Sequence, residues 1–314
     1  MEYRNLGNSG LLISAVGLGC NNIGRQVDEA GTVAIVERCI EHGITFFDTS
    51  DVYGAKPGRS EECLGQALKP HRRNVVLATK GTGRLGEGPY WQGASRRYLT
   101  EALDDSLRRL GTDYVDLYQL HFPDPLTPIE ETLRFLDDAV RAGKVRYIGL
   151  TNYTAWEVAE AASIVRAEHL TPVISTQNRY NLLERDIERE VVPMARRFGL
   201  GILPYYPLAS GLLTGKYRRD ETPAGTRLTS GIHFYEGVLA NADYDLLDRL
   251  TAFASERGHS LLELAIGWLA SNPLVGSVMT GATTPEQIEA NALASGWRLT
   301  PEELREIDEI QGRV

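Results

Sequence analysis

Apolar, strand-like runs alternate with helical patterns along almost the whole of this 314-residue chain. The predicted strands cover residues 15–19, 45–48, 75–80, 114–120, 145–150, 173–177, 201–205 and 274–279. The predicted helices cover residues 29–42, 60–68, 100–110, 129–141, 155–168, 186–198, 261–271 and 285–294. Eight strands in strict alternation with eight helices predict an α/β protein of the (β/α)8 TIM-barrel type, in a single domain over residues 1–314.

The competing architecture, a doubly wound sheet, requires a glycine-rich turn after its first strand. Residues 17–24 (GLGCNNIG) match that fingerprint only loosely, so the barrel is favoured. Residues 6–11 (LGNSGL) predict an N-terminal β-hairpin turn that could cover the amino end of the barrel.

Local signals mark several helix boundaries. Thr100 is a candidate cap of the third helix, and Gly111 and Gly143 are candidate ends of the third and fourth. Thr284 and Thr300 each precede a Pro and a Glu, which is typical of a helix start. The second of these predicts an extra C-terminal helix outside the barrel.

Composition excludes several functions. The formal net charge of -9 argues against nucleic-acid binding, which requires a basic face. Residues 1–4 lack the apolar core of a signal peptide, and no apolar run is long enough to span a bilayer, so no membrane partner is predicted. Three cysteines without metal-ligand spacing predict free thiols in a reducing cytoplasm. No pattern indicates the oligomeric state.

Polar and ionisable residues that could take part in catalysis follow four of the predicted strands. Asp48, Lys80 and His121 end three strand-like segments, Tyr53 lies just beyond the first, and Thr151 closes the fourth. Taken alone, Asp48, Tyr53 and His121 have plain structural explanations, as a turn residue, a packing aromatic and a hydrogen-bonded core histidine. Lys80 is harder to explain in this way, because burying it unpaired would be costly. Because reactive groups gather at the carboxyl ends of barrel strands, the set predicts one site there.

A metal site is the weaker interpretation of this cluster. Asp48, Asp51 and His121 could be imagined as ligands, but Lys80 in the same cluster would repel a cation.

Longer motifs in the same frame resemble the aldo-keto reductase superfamily over residues 3–310, nearly the whole chain. They are residues 47–54 (FDTSDVYG), 111–117 (GTDYVDL), 144–152 (KVRYIGLTN), 177–181 (QNRYN), 207–216 (PLASGLLTGK) and 281–287 (GATTPEQ). The layout is most similar to that of the longer bacterial members and of the β subunits of voltage-gated potassium channels. The resemblance implies a barrel that binds a nicotinamide dinucleotide without a Rossmann domain.

The resemblance implies a role for each of four residues. Tyr53 matches the catalytic tyrosine, which supplies a proton to the developing alkoxide. Lys80 is the cation that lowers the pKa of the tyrosine, and Asp48 pairs with Lys80. His121 orients the substrate oxygen or relays a proton.

The cofactor cradle is implied in the same way. Tyr205 corresponds to the tyrosine that stacks on the nicotinamide, although Tyr206 replaces the serine usual at the next position. In the phosphate loop, glycines let backbone N–H groups approach the anion and Lys216 adds charge. The full set is Gly19, Cys20, Asn21, Thr151, Asn152, Gln177, Tyr205, Leu208, Ser210, Gly211, Thr214, Gly215, Lys216, Gly281, Thr283, Gln287 and Asn291.

The adenosine end carries the weakest match. Members that prefer NADP often place Lys or Arg where this chain has Gly281 and Gln287, and Ala290 replaces a frequent glutamate. The family favours NADP(H), and NAD(H) or dual use stays open.

The substrate is expected to be a small aldehyde or ketone held by long βα loops. Candidate lining residues are Asn22, Trp91 and Tyr153, together with the loops of residues 83–96 and 216–237, the second containing His233, Phe234 and Tyr235. The leading function is an NADP(H)-dependent carbonyl reductase. A cofactor-binding regulatory or redox-sensing subunit, and less favourably a barrel lyase or isomerase, are the alternatives.

Overall fold

A short antiparallel hairpin precedes a barrel of parallel strands. The computed structural model describes residues 1–219, 228 and 237–313. The hairpin strands are β1 (Tyr3–Asn5) and β2 (Leu12–Ser14). The barrel strands are β3 (Val16–Gly19), β4 (Phe46–Asp48), β5 (Val76–Gly81), β6 (Val115–Leu120), β7 (Val145–Thr151), β8 (Val173–Arg179), β9 (Gly201–Tyr205) and β10 (Val278–Thr280). The predicted (β/α)8 TIM barrel with an N-terminal hairpin is confirmed.

The strands pair in chain order around the barrel, and β10 pairs with β3. The last strand begins later than predicted, because residues 274–276 pair instead with β9. There the Ile202 N–H donates to the Leu274 carbonyl at 2.7 Å, and the Gly276 N–H donates to the Ile202 carbonyl at 3.0 Å. These bonds close the barrel.

Helices surround the strands. They are α1 (Glu29–Glu41), α2 (Arg59–Leu68), α3 (Arg96–Leu110), α4 (Ile129–Arg141), α5 (Ala155–Ala167), α6 (Val191–Phe198), α7 (Tyr244–Glu256), α8 (Leu261–Ser271), α9 (Pro285–Ala294) and α10 (Pro301–Ile310). The sixth helix is shorter than predicted because Asp186–Glu188 form a separate 3-10 turn. The predicted C-terminal helix is α10.

One prediction about a helix boundary was wrong, and one helix was not predicted. Thr100 lies inside α3, and Ser95 is the cap, accepting a hydrogen bond from the Tyr98 N–H. The helix α7 was not predicted, although Leu247, Leu250 and Ala254 bury one face at helical spacing. It precedes α8 without an intervening strand, so it lies outside the regular alternation.

The hairpin covers the amino end of the barrel, as predicted. Leu6 and Ile13 are fully buried and pack with inward side chains of the strands, including Phe46 and Leu117. Gly7 has a φ of +57°, and a Cβ there would lie 2.6 Å from the Gly201 nitrogen, so only glycine fits. The opposite, carboxyl end is left for the site.

No helix in the described ranges combines the length and the apolar character needed to cross a bilayer.

Candidate active site

A cavity of about 1240 Å³ opens at the carboxyl ends of the barrel strands. Most of the predicted site residues line it. They are Gly19, Asn21, Asn22, Asp48, Tyr53, His121, Thr151, Asn152, Gln177, Tyr205, Leu208, Ser210, Gly211, Thr214, Lys216, Gly281, Thr283, Gln287 and Asn291. The fold therefore brings the strand-end residues and both predicted cofactor loops to one space.

Some predicted residues lie elsewhere. Lys80 is fully buried behind Asp48, and Cys20 is buried and donates from its thiol to the Leu18 carbonyl. Tyr153 is buried and Trp91 is half-exposed in the loop after β5, and neither lines the cavity. Gly215 ends the 3-10 segment beside it. The candidates His233, Phe234 and Tyr235 lie outside the described residues.

The base of the cavity holds a buried ion pair. Asp48 ends β4 and Lys80 lies in the neighbouring strand β5, so parallel pairing brings them together. The Lys80 ammonium donates to Asp48 Oδ2 at 2.6 Å and to the Thr49 carbonyl at 2.8 Å, and its side chain is 0% exposed. Burial lowers the pKa of Lys80, but its interactions with the Asp48 carboxylate and with Tyr53 more than offset this, and the net shift is upward. Lys80 is therefore a fixed positive charge.

Two glutamines complete the hydrogen bonding of Asp48. The Gln119 amide donates to Asp48 Oδ1 at 2.7 Å, and the Gln177 amide donates to Oδ2 at 3.3 Å. Gln119 was not among the predicted site residues. A sequence signal did exist: Gln119 lies in β6 two positions before His121, which directly follows the strand, and side chains in a strand alternate with period two.

Tyr53 lies over the ion pair. The Lys80 nitrogen is 4.9 Å from the centre of the Tyr53 ring, and the His121 ring is 5.6 Å away, edge-on. Burial raises the pKa of Tyr53, while the charge of Lys80 opposes the rise. The net direction is upward, opposite to the lowering that we expected from Lys80, because burial outweighs the cation. Tyr53 therefore holds its proton at neutral pH.

His121 stands beside Tyr53 as a neutral ring. Its Nδ1 lies 3.0 Å from Ser50 Oγ, and its backbone N–H donates to the Gly81 carbonyl at 2.9 Å. Burial and the nearby charge of Lys80 lower the pKa of His121 to about 3. Its partner Ser50 was not predicted as a site residue.

The end of β7 and the end of β9 form one wall of the cavity. The Tyr205 hydroxyl donates to Asn152 Oδ1 at 2.8 Å, and Asn152 donates in turn to the His121 carbonyl at 3.0 Å. Asn152 adopts a φ of +65°. Within the described part of the chain, the buried Thr151 hydroxyl has no hydrogen-bond partner. An unsatisfied buried hydroxyl fits a bound group that supplies a polar atom.

The loop after β9 has an unusual backbone. Tyr206, Ala209 and Ser210 have positive φ angles of 52°, 45° and 59°, and Gly211 and Gly215 follow at 111° and 78°. Each non-glycine residue in this conformation costs about 1–2 kcal/mol. Such turns present backbone N–H groups that suit an anion, and Lys216 at the cavity wall adds positive charge. The donor set therefore fits a pyrophosphate.

The part of the cavity lined by Thr283, Gln287 and Asn291 presents uncharged hydrogen-bonding groups. The Gln287 carbonyl oxygen accepts from the Thr283 N–H at 2.8 Å and from the Thr283 hydroxyl at 3.3 Å. The buried Asn291 amide nitrogen has no hydrogen-bond partner among residues 1–219, 228 and 237–313. Thr283 and Gln287 lie at the N-terminal end of α9, where the helix dipole favours an anion, and Asn291 lies further along the same helix. An anion bound there would meet the helix dipole and these uncharged donors.

The cavity also has wall residues that were not among the predicted site residues. They are Gln26, Val52, Phe122, Arg179, Pro207, Leu262 and Met279. Val52, Arg179 and Pro207 lie inside the motifs quoted above but were not singled out. The other four lie in no motif, so no pattern marks them. Across the described ranges, no group of three or more His, Cys, Asp or Glu side chains could hold a metal ion.

Comparison with known proteins agrees with this geometry. A profile of the Aldo/keto reductase family matches residues 15–311. A protein of Oryza sativa subsp. japonica described as a probable voltage-gated potassium channel subunit beta is 39% identical, over 99% of this chain and 96% of its own. L-glyceraldehyde 3-phosphate reductase of Escherichia coli K12 is 35% identical, over 98% and 92%. Versiconal hemiacetal acetate reductase of Aspergillus parasiticus is 35% identical, over 98% and 96%.

The match covers the barrel and both loops of the cavity, and the predicted resemblance is confirmed. The chain belongs to the aldo/keto reductase family of oxidoreductases.

Proposed function

We propose that this chain reduces an aldehyde or ketone to an alcohol by hydride transfer, with NADPH as the preferred cofactor and Tyr53 as the general acid. The observation that carries the proposal is the buried pair of Lys80 and Asp48 directly beneath Tyr53. Burying a charge is costly unless it is paired and hydrogen-bonded, and even a buried ion pair adds little to stability. Lys80 is held within reach of a phenol at the cavity wall, which supports a catalytic role for the pair.

The chemistry that the chain must supply is a proton for the substrate oxygen. A reduced nicotinamide, when bound, supplies the hydride that adds to the carbonyl carbon. Tyr53 gives its hydroxyl proton to the oxygen as negative charge develops there, and it later takes a proton back from solvent. Lys80 stabilises the phenolate that this transfer leaves. Asp48 holds Lys80 in place and keeps it charged.

His121 is proposed to orient the substrate oxygen. Its ring lies edge-on to Tyr53, and it stacks on Phe122 with ring centres 4.3 Å apart. A neutral imidazole can hold a hydrogen bond to the oxygen without competing with Tyr53 as an acid.

The cofactor assignment rests on the donors along the cavity. Thr151, Asn152 and Gln177 offer the donors and acceptors that a carboxamide needs, with Tyr205 beside them as the stacking face. The strained loop after β9 and Lys216 suit the pyrophosphate. The preference for NADPH follows from family membership, and the absence of a cation at Gly281 and Gln287 predicts that it is modest.

The proposed substrates are small aldehydes and ketones. Two relatives bear names that identify them as reductases of an aldehyde phosphate and a hemiacetal ester, which is consistent with this class. We propose that the chain acts as one domain over residues 1–314. Its three cysteines, all within the described residues, are buried free thiols, which fits the proposed cytoplasmic location.

A second candidate is a regulatory subunit that binds the cofactor with little turnover. It is favoured by one observation, the 39% identity to a protein described as a probable channel β subunit. The complete set of Asp48, Tyr53, Lys80 and His121 in one cavity supports the reductase more strongly.

The test is a carbonyl screen with purified protein. Short aliphatic, aromatic and phosphorylated aldehydes and ketones are mixed with NADPH or NADH, and loss of reduced-cofactor absorbance is followed against blanks without carbonyl. We expect carbonyl-dependent oxidation that is faster with NADPH. Cofactor fluorescence is recorded in parallel. Binding without turnover on any carbonyl would favour the regulatory subunit, and no binding would overturn both.

A further inference from the structure

Beside the proposed acid, three side chains form a short hydrogen-bonded chain. Ser50 Oγ lies 3.0 Å from His121 Nδ1 and 3.0 Å from Asp51 Oδ1. Ser50 and Asp51 are 0% exposed. A hydroxyl carries one hydrogen, so Ser50 can donate to only one of these two neighbours at a time. The other neighbour must then donate to Ser50, or the contact is lost.

The far end of this chain is a carboxyl in an unusual setting. Among the described residues, Asp51 Oδ2 is buried with no hydrogen-bond partner. Burial raises the pKa of Asp51 to about 7, and the negative charge of Glu61 adds to the rise. The hydrogen bond from Ser50 and the charge of Arg109 oppose it. Asp51 therefore gains or loses its proton near neutral pH.

Two phenols also face Asp51. Tyr98, from α3, donates its hydroxyl to the Gly83 carbonyl at 2.5 Å. Tyr118, from β6, has a buried hydroxyl that has no partner in the described ranges. Burial raises the pKa of both phenols, and the charge of Asp51 raises them further, so both are neutral across the range in which Asp51 titrates.

The near end of the chain faces the cavity. Because Nδ1 of His121 is engaged by Ser50, Nε2 is the ring nitrogen left for a substrate, and no side chain or backbone group in the described ranges bonds it. The charged groups near the ring are Lys80 and, through Ser50, Asp51. The pKa of His121 lies near 3, so the ring is neutral and has one proton to place on either nitrogen.

We propose that Ser50 and Asp51 are positioning residues that set the tautomer of His121, so that protonation of Asp51 decides whether Nε2 donates to the substrate oxygen. With Asp51 protonated, its carboxyl donates to Ser50, Ser50 donates to Nδ1, and the imidazole proton sits on Nε2. Nε2–H then donates to the carbonyl oxygen and stabilises the developing charge.

Loss of the proton from Asp51 to solvent reverses the chain. Ser50 then donates to the Asp51 carboxylate and accepts from Nδ1–H. The imidazole proton moves from Nε2 to Nδ1 by exchange with solvent in the cavity, so the ring stays neutral. Nε2 now presents a lone pair to the substrate oxygen, which is repulsive. Reduction should therefore be favoured on the acid side of the Asp51 titration.

The tautomer can be measured without any cofactor or substrate. Protein labelled with 15N-histidine is studied by NMR at about pH 5.5 and about pH 8.5, on either side of the Asp51 titration. The protonated and unprotonated ring nitrogens have well-separated chemical shifts, and a His121→Gln variant assigns the signals. We expect Nε2–H at the lower pH and Nδ1–H at the higher. The same tautomer at both values, or a protonated imidazolium, would overturn the proposal.

Three variants sharpen the measurement. Ser50→Ala removes the link, and we expect the change of tautomer with pH to disappear. Asp51→Asn cannot ionise, and we expect one tautomer at both pH values. Ser277→Ala removes another fully buried serine hydroxyl, which does not line the cavity, and should leave the wild-type change intact. Persistence of the change in Ser50→Ala would contradict the proposed link.

The consequence for turnover rests on the proposed reductase function. We expect kcat/KM of the wild type to fall about tenfold or more from pH 6 to pH 8.5, in keeping with loss of one oxyanion donor. Asp51→Asn should flatten that decline. A change of tautomer without any carbonyl reduction would support the hydrogen-bonded chain of Ser50, Asp51 and His121 and count against the reductase function. Carbonyl reduction without a change of tautomer would support the reductase function and overturn the proposed role of Ser50 and Asp51.

Discussion

The side-chain amide of Gln119 donates to Asp48 Oδ1 at 2.7 Å, while Lys80 takes the other oxygen of the same carboxylate. All three side chains are at least 95% buried. The carboxylate is thus held from two strands at once, and neither of its oxygens can rotate away from Lys80 without losing a hydrogen bond. Gln119 therefore supports Lys80 indirectly, by fixing the carboxylate that pairs with it.

Replacing Gln119 with Leu should loosen that support. The change leaves Asp48 Oδ1 without its donor in a dry site, and we expect about 1–3 kcal/mol of lost unfolding free energy together with lower turnover. Urea unfolding and steady-state kinetics measure both. Gln66→Leu, on the exposed side of α2, is the matched control. If the two variants behave alike, the Gln119 hydrogen bond contributes nothing.

Tyr53→Phe should keep the fold and cofactor binding but remove nearly all reduction. The phenyl ring preserves packing and lacks only the transferable proton, and general acid catalysis is typically worth roughly 10²–10⁴-fold. Turnover and cofactor fluorescence are compared with those of Tyr147→Phe, which alters a phenol near the opposite end of the barrel. Turnover near the wild-type rate would remove Tyr53 from the mechanism.

Lys80→Met should lower both turnover and stability. Asp48 would be left as a buried carboxylate without its cation, which costs about 3–5 kcal/mol. Without the charge of Lys80, the pKa of Tyr53 should rise further and the apparent pKa of the acid in the pH–rate profile should move upward. The double variant Asp48→Asn with Lys80→Met should regain part of the stability. An unchanged pH–rate profile would contradict the assigned role.

Gln287→Arg should increase discrimination for the 2′-phosphate. The new cation at the exposed start of α9 is worth about 1 kcal/mol, or roughly fivefold in affinity, for NADPH over NADH. Isothermal titration of both cofactors measures it. Gln287→Met also breaks the bonds to Thr283 but adds no charge, so it isolates the electrostatic part. Equal changes for both cofactors would place recognition of the phosphate elsewhere.

Asp51→Asn should change the pH dependence of stability. The carboxyl has a pKa of about 7 in the folded protein, well above its ordinary value, because it is buried. Between about pH 4 and pH 7 the folded state therefore holds a proton that the unfolded state has lost, so folding stability falls as pH rises and then levels off.

Asn cannot ionise, so the variant should gain stability over the wild type as pH rises through this window. At about 1.4 kcal/mol for each pH unit, the gain is at most about 4 kcal/mol above pH 7. Urea unfolding at several pH values measures it, with the exposed Asp113→Asn as control. A gain that is constant with pH would show that Asp51 does not titrate there.

The barrel was predictable because each of its elements carries a local signal. Burial of a strand or of one helix face sets a short period in the chain, and eight repeats of the alternation leave few alternatives. The helix α7 was not predicted because it breaks the strict alternation of strands and helices, although its buried residues have ordinary helical spacing. Thr100 looked like a cap because capping residues also occur inside helices, where Ser95 had already satisfied the first turn.

The four proposed catalytic residues and the two proposed cofactor loops lie in motifs at or just beyond strand ends, so a sequence pattern marks them. The residues that support them could not be identified in this way, because they meet across large separations in sequence. Gln119 and Asp48 are 71 residues apart, as are Ser50 and His121, and Gln177 and Asp48 are 129 apart. Such contacts depend on strand register and on the closing of the barrel, which no local pattern encodes.

The amino-acid sequence determines which residues stand at the site, whereas the tertiary structure determines their protonation states. The amino-acid order fixes which groups stand at the carboxyl ends of the strands, because alternation aims every second side chain into the barrel. Burial in the folded chain then raises the pKa values of Tyr53 and Asp51 and lowers that of His121. These shifts arise from the desolvation of each group by residues distant in sequence, so they exist only once the barrel has closed.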